Sequence, residues 1–429
     1  MPSTPPEAPR QALGIDFGTS AVRALVLDHG GERARTRTAL AAAGGADGRR
    51  EQDPQTWWQA LGAALAALDP EVRADVGAIA VAGTSATVLA IDDAGHPLGP
   101  ALMYDDRRAV AEAATIARRA PADSAARGPS SSLAKALWLA RALGREVRVV
   151  HQADWITGRL LGDFGYSDEN NALKLGYDPV HRRWPAWVQE QCAGQVRLPR
   201  VRPPGTTLGR IDPDAARALG LPRGVRIRAG TTDSTAAVIA TGARRPGQGV
   251  TALGSTLVLK VLGPRPLADA AHGVYSHRLG GSWLTGGASN SGGAVLARFF
   301  TPGEIARYSA AIDPEQDSGL DYYPLLRPGE RFPVADPAFG GRLSPRPADP
   351  VRFLHGLLEG IARIEARGYA LLAELGAPAL TGVLTIGGGA RNPTWQRIRQ
   401  RLLGVPVRPA ACEEPAAGAA LLALRGPPD

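Results

Sequence analysis

The chain has 429 residues, of which 44% are hydrophobic and 21% charged, and its formal charge is +8. That is too long for one ordinary core and too apolar for a disordered chain, so two or more globular domains are expected, and no apolar run approaches the roughly 20 residues that cross a bilayer. Two cysteines far apart, Cys192 and Cys412, exclude a disulfide framework and a cysteine-rich metal site and point to a reducing, cytoplasmic setting.

The chain opens with MPSTPPEAPRQ (1–11). This has no basic start followed by an apolar stretch, so it reads as a disordered leader and not as a signal peptide. Ala12–Asp28 is two apolar runs joined by a short glycine-containing turn, a hairpin pattern. Trp58, Leu61, Leu65 and Leu68 recur at helical spacing within Gln55–Asp69. Val76–Ser85 reads as a buried strand ending in a polar turn. Ser131–Gly144 reads as a helix with a serine cap and a glycine stop.

Further on, Gly249–Gly263 is again strand, Gly-Ser-Thr turn, strand. Within Val351–Gly376, Phe353, Leu357, Ile361, Ile364, Leu371 and Leu375 mark one face of a long helix. Gly382–Gly404 gives strand, triple-glycine turn and helix, and Glu413–Leu424 is a small-residue helix suited to close packing. The alternation predicts an α/β chain. The recurrence of DFGTS early and LGSTL late predicts two similar halves with a cleft between them.

Four stretches carry candidate chemistry. In DFGTS (Asp16–Ser20), Gly18 lets the backbone turn and offer N–H groups to an anion, and Thr19 and Ser20 add hydroxyls. Asp16 ends the first strand, where a carboxylate can hold hydrated Mg²⁺ beside phosphates. LGSTL (Leu253–Leu257) repeats the device with Gly254, Ser255 and Thr256. In IGGGARNPTW (Ile386–Trp395), bare Gly388 and Gly389 can lie against a base or ribose, with Asn392 to bond the base and Trp395 to border it. Each of these also reads as a plain turn, and Asn392 as a helix cap before Pro393. In AGTTDS, Asp233 stands where a Gly-Thr-Thr turn meets a helix-forming run; it reads as a helix cap, as a catalytic base, or as both.

The positive charge raises nucleic acid as a partner, but the arginines are scattered and aromatics are only 5%. A basic solvated surface is therefore expected, with no nucleic-acid partner. Only Lys135, Lys174 and Lys260 among the 49 basic residues are lysine. A lysine that persists in so arginine-rich a chain reads either as a place where a planar guanidinium would not fit or as chance on a surface.

In this order and spacing, the motifs resemble those of the FGGY carbohydrate kinases, within the actin-like ATPase superfamily. The likeness covers Leu13 to Leu424. GTSATVL (83–89), SSLAK (131–135), NALKLGYDP (171–179) and AGTTDS (229–234) are most similar to the short D-ribulose kinases, and GVYSHRLG (273–280), WLTGGASNSGG (283–293), LDYYPL (320–325) and GERFPVADP (329–337) continue the pattern.

The resemblance implies two actin-like, ribonuclease H-like ATPase domains with a catalytic cleft between them. A sugar-binding domain would span 12–240 plus 414–429 and a nucleotide-binding domain 241–413. It implies Asp233 as general base on the sugar hydroxyl, and Asp16 at the Mg²⁺–phosphate site near the acceptor, with both as candidate metal ligands. Gly83, Thr84 and Ser85 would contact the sugar. Gly18, Thr19 and Ser20 would lie at the phosphates, Gly254, Ser255 and Thr256 at the terminal phosphate, and Gly388, Gly389, Asn392 and Trp395 on the adenine side. The implied activity is ATP-dependent phosphorylation of D-ribulose to D-ribulose 5-phosphate. D-Xylulose, L-ribulose or glycerol are rival acceptors, and a non-kinase actin-like ATPase is the rival from another class. Two departures stand out: Ala82 where D-ribulose kinases of this type usually carry Asp, and Asn170 where they tend to carry His.

Overall fold

The computed structural model describes residues 9–428; the start of the expected leader lies outside them. Its first strand opens at Gln11, inside that leader, because Gln11 already pairs with Asp28 and Val76. The chain divides into two units. The first runs to Ala240 and takes in His277–Gly281 and the stretch from Glu414; the second holds Thr241–Ser276 and Ser282–Glu413. No helix among the described residues is long and apolar enough to cross a membrane.

The first unit contains β1 (Gln11–Phe17), β2 (Ala21–Asp28), β3 (Gly31–Ala39), α1 (Pro54–Ala66), β4 (Val76–Gly83) and β5 (Val88–Ile91). There follow α2 (Ser132–Leu143), β6 (Val147–His151), α3 (Gln152–Leu161), β7 (Thr207–Arg210), β8 (Arg226–Arg228), β9 (Thr231–Thr232) and α4, which begins at Asp233 and ends at Thr241. The main sheet runs β7-β8-β4-β1-β2-β3, with β9 also paired to β4. β1 is antiparallel to β2, as the hairpin pattern predicts, and parallel to β4.

Every residue of β1 is buried, so alternate side chains serve two faces. Leu13, Ile15 and Phe17 join a core with Trp57, Leu61 and Leu65 of α1. On the other face, Ala12, Ala78 and Ala80 pack with Leu422 and Leu424 of the C-terminal helix, Pro415–Arg425. Backbone meets backbone there. A Cβ on Gly14 would lie 1.9 Å from the carbonyl oxygen of Ala416, and one on Gly418 would lie 1.9 Å from that of Ala236. β5 and β6 pair antiparallel in a second sheet. Leu133 and Leu137 of α2 pack against Val88 and Val149 there. Ser131 caps α2 and Gly144, at φ 63°, stops it.

The second unit contains β10 (Gln248–Leu253), β11 (Leu257–Gly263), the start of β12 (Tyr275–Leu279, whose residues from His277 are assigned to the first unit), β13 (Ser282–Ser289), α5 (Gly293–Phe299), α6 (Pro350–Glu374), β14 (Gly382–Ile386), α7 (Pro393–Leu403) and β15 (Val407–Pro409). The sheet order is β12-β13-β11-β10-β14-β15. β10 is antiparallel to β11 and parallel to β14, the same arrangement that β1 has with β2 and β4. Phe353, Leu357, Ile361 and Ile364 of α6 form the core with Leu259, Val261, Val383 and Ile398. A buried ion pair ties the helices to the strands. Arg399 grips both oxygens of Glu365 at 2.6 and 2.7 Å and donates to Thr385 at 2.8 Å, while Thr251 donates to Glu365 at 2.6 Å.

The seam at Gly418 yields a stability prediction. The Cβ of Gly418→Ala would meet a helix backbone that cannot swing aside, and overpacking of this kind costs about 1–3 kcal/mol. A lowered urea midpoint for this variant is expected; an unchanged midpoint would show that the C-terminal helix does not lie this close.

Candidate active site

In the first unit three strand ends meet at one edge of the sheet. In the parallel register Asp16 of β1 is opposite Ala82 of β4, and Phe17 is opposite Gly83. Thr231 and Thr232 of β9 align with the same two residues of β4, Ala82 and Gly83. Asp233 follows at once and opens α4. The carboxyl ends of parallel strands are the usual place for ligands in α/β sheets, and here they gather Asp16, the Gly83–Ser85 turn and Asp233.

The two aspartates sit in different surroundings. Asp233 is half-buried, and its carboxylate accepts the N–H of Ser234 at 2.6 Å. It is the first residue of α4, inside the helix's first turn, where the dipole favours an anion. Asp16 is buried. Arg23 donates to its Oδ2 at 3.1 Å, while its Oδ1 is buried with no hydrogen-bond partner. Burial pushes the Asp16 pKa up from 3.8 to about 7, the Asp233 charge adds to this, and Arg23 only partly opposes it.

This donor set fits a hydrated Mg²⁺. Among the described residues no group of three or more His, Cys, Asp or Glu is arranged to hold a metal ion. Mg²⁺ instead takes one or two carboxylates and fills its shell with water and phosphate. Asp16, with its partnerless Oδ1, and Asp233 are the carboxylates that would hold it.

Around this edge the sequence-derived residues divide. The N–H of Gly18 bonds to the Ala21 carbonyl at 3.0 Å, which closes the β1–β2 turn, and Thr19 and Ser20 are exposed at its tip. Gly83 and Thr84 are buried and Ser85 is half-buried. The reading of Thr84 as a sugar contact needs correcting. Its N–H and hydroxyl both bond to Gln152 Oε1, at 3.0 and 2.9 Å, and the hydroxyl also meets Thr87 at 2.6 Å. Ser85 is the hydroxyl left accessible. Asn170 donates to Thr231 Oγ1 at 3.0 Å, two residues before Asp233.

Sequence reasoning missed Tyr104 and Asp105. Tyr104 is an exposed aromatic. Its phenol pKa is raised by burial and by Asp105, with Asp233 contributing, so it stands near Asp233. The local signal was an aromatic beside two acids in MYDDRR, with nothing in it to say where it points.

In the second unit, β10 and β14 end side by side, Ala252 opposite Ile386, and both run into glycine turns. Gly254 and Ser255 are exposed and Thr256 is half-buried. The carbonyls of Gly254 and Ser255 accept the N–H groups of Gly293 and Ala294 at the start of α5, at 2.8 and 3.1 Å. Gly387 has φ 87°, and a Cβ on it would lie 2.7 Å from the Leu253 carbonyl. Gly388 is exposed and Gly389 half-buried.

Asn392 is the cap of α7. Its Oδ1 accepts the N–H of Trp395 at 3.0 Å and its amide donates to Ser309 at 2.8 Å, which leaves the second amide hydrogen for a base. Trp395 is where the sequence reading needs correcting. Its ring is in the core, its indole N–H donates to Leu358 at 2.9 Å, and a Cβ on Gly389 would lie 2.8 Å from it. It supports the glycine turn from beneath instead of bordering a base.

The fold is that of sugar kinases. A xylulose kinase from Rhodospirillum rubrum superposes with a TM-score of 0.84 at 24% identity, covering 96% of this chain and 89% of its own. A gluconate kinase from Lactobacillus acidophilus gives 0.83 at 17%, covering 96% and 88%. The chain belongs to the FGGY family of carbohydrate kinases, whose N-terminal domain matches residues 11–240 and whose C-terminal domain matches 249–426. It is thus a phosphotransferase with an alcohol acceptor, and the family implies ATP as donor. Among curated relatives, the xylulose kinase of Streptomyces coelicolor is 29% identical over 95% of this chain and 86% of its own length. That of Escherichia coli K12 is 27% identical over 96% and 89%.

The Asp16 shift predicts a pH dependence. A carboxyl whose folded pKa exceeds its unfolded value stabilises the fold fully below the unfolded value, and that stabilisation is lost as pH rises through the folded one. Ligand-free protein should therefore lose stability between pH 4 and 7, the interval from the ordinary value of 3.8 to about 7. At about 1.4 kcal/mol per unit the loss amounts to several kcal/mol. Asp16→Asn should flatten this limb in urea titrations at stepped pH. An identical slope in both proteins would mean that Asp16 is ionised in the fold.

Proposed function

We propose that the chain transfers the γ-phosphoryl group of ATP to the primary hydroxyl of a 2-ketopentose. The names of the relatives favour D-xylulose and the sequence segments favour D-ribulose; the two sugars differ in configuration at C3. Position 82 weighs against the D-ribulose pattern. Ala82 is fully buried in contact with Ala236 and Ala419, which leaves no space for the carboxylate usual there. D-Xylulose is accordingly the first acceptor in this reading and D-ribulose the second.

The observation that carries the reading is the meeting, at one sheet edge, of a half-buried carboxylate, Asp233, with a buried one, Asp16, whose Oδ1 has no hydrogen-bond partner. In this reading Asp233 accepts the proton of the acceptor hydroxyl. The freed oxygen bonds to the γ-phosphorus, the bond from that phosphorus to its bridging oxygen breaks, and ADP leaves with the electron pair. Such transfers are loose, so orienting the hydroxyl matters more than base strength. Ser85 and Tyr104 would hold the sugar, and the exposed Thr19–Ser20 turn would supply donors to the phosphates. Bound Mg²⁺, held by Asp16 and Asp233, would supply positive charge against the phosphate oxygens.

ADP release is the test, measured with Mg²⁺ and ATP plus D-xylulose, D-ribulose, L-ribulose, glycerol or no sugar. Strong stimulation by one ketopentose is expected. Asp233→Ala should lower it by about 10²- to 10⁴-fold with an unchanged circular dichroism spectrum. Sugar-independent hydrolysis, equal in the variant, would overturn the kinase reading in favour of a non-kinase ATPase.

A further inference from the structure

Lys135 is fully buried and stands in the first turn of α2, which begins at Ser132. A helix dipole opposes a cation at that end, so helix stability does not account for it. Burial pushes its pKa down to about 7, against the pull of Asp106 and Asp105. A methionine or leucine would fill the same space without that desolvation.

What the ammonium does is join two separate segments. It donates to the Ala86 carbonyl at 2.5 Å and to the Met103 carbonyl at 2.8 Å. Ala86 completes the turn that follows Gly83-Thr84-Ser85 and holds φ 68°, a left-handed conformation that L-residues other than Asn and Asp rarely adopt. Met103 directly precedes Tyr104 and Asp105. The next residue, Asp106, anchors that segment by accepting the Arg50 N–H at 2.7 Å and the Arg108 guanidinium at 2.7 Å. A compact ammonium with rotatable donors can sit between two carbonyls; a planar guanidinium fork cannot.

We infer that Lys135 is a positioning residue for the acceptor: by bridging the Ala86 and Met103 carbonyls it fixes the spacing between Ser85 and Tyr104, and with it which sugar fits. The inference rests on the proposed acceptor reaction. It extends that reaction to a residue that touches neither substrate nor reacting atoms.

The test is steady-state kinetics of Lys135→Met with whichever ketopentose stimulates the wild-type protein. The acceptor KM should rise by about tenfold or more, as misplacement of positioning groups does, while the ATP KM stays within about twofold. Discrimination between D-xylulose and D-ribulose should narrow, and Lys135→Arg should not restore it. A direct readout needs no variant. With ¹⁵N-lysine labelling only three side-chain signals arise, and the solvent-protected one should shift on adding acceptor and not on adding ATP. A folded Lys135→Met protein with wild-type acceptor KM would overturn the inference. So would a rise shared equally by both substrates, or a protected lysine signal indifferent to the acceptor. Those results would leave the kinase reading intact. A wild-type protein that no sugar stimulates would remove that reading and this role with it.

Discussion

The backbone of the C-terminal helix rests directly on β1 because Gly14 and Gly418 put no side chain between them and their neighbours. The contact continues through Ala82, Ala236 and Ala419, which join β4, α4 and the C-terminal helix. Any larger residue along this seam would lift the helix, and the active edge lies at its end. The approach brings Glu414, which immediately precedes the helix, to 3.4 Å from the Arg23 guanidinium that pairs with Asp16. It also removes Asp16 from water. The high proton affinity of Asp16 is thus a packing consequence before it is a catalytic property.

Each unit reuses one device with different finishing. A hairpin lays its first strand parallel to a later strand, and both strands end at the same edge. In the first unit the edge ends in carboxylates, suited to a metal and a hydroxyl. In the second it ends in glycines, with Gly387 and Gly389 lying on Leu253 and Trp395. Bare backbone over a hydrophobic floor leaves a flat surface, and the Arg399–Glu365 pair, fully desolvated, fixes the strands and helices beneath it. Replacing one member of such a pair leaves the other as an uncompensated charge, so the surface is held in one arrangement.

Much of this is legible in the sequence, for local reasons. The two hairpins and the capped helix at 131–144 rest on alternation, turn glycines and caps, all short-range signals. The two-turn symmetry and Asp233 at a helix start follow from the same signals. What is not legible depends on long-range partners. The Thr84 hydroxyl is taken by Gln152, 68 residues away. Tyr104 approaches Asp233 only in the folded chain. Trp395 next to a glycine turn reads equally well as a wall or a floor, and its indole bond to Leu358, 37 residues distant, decides for the floor. Lysine scarcity flagged Lys135 as special, but its two carbonyl partners lie 49 and 32 residues away.

The division of labour between the two carboxylates follows from burial. A general base must be reachable by the proton it takes. Asp233 meets that requirement, being half-buried at a helix start. Asp16 does not, being sealed by the small-residue seam and gripped on one oxygen by Arg23. A sealed carboxylate with one empty oxygen is poorly placed to collect a proton from substrate, but well placed to exchange its own for a cation, since a positive charge repays the desolvation that burial imposes. Two acids that environment pushes apart can take different tasks at one pH. In the proposed reaction, the packing of the C-terminal helix therefore bears on which carboxylate serves as base as much as the chemistry of Asp233 does.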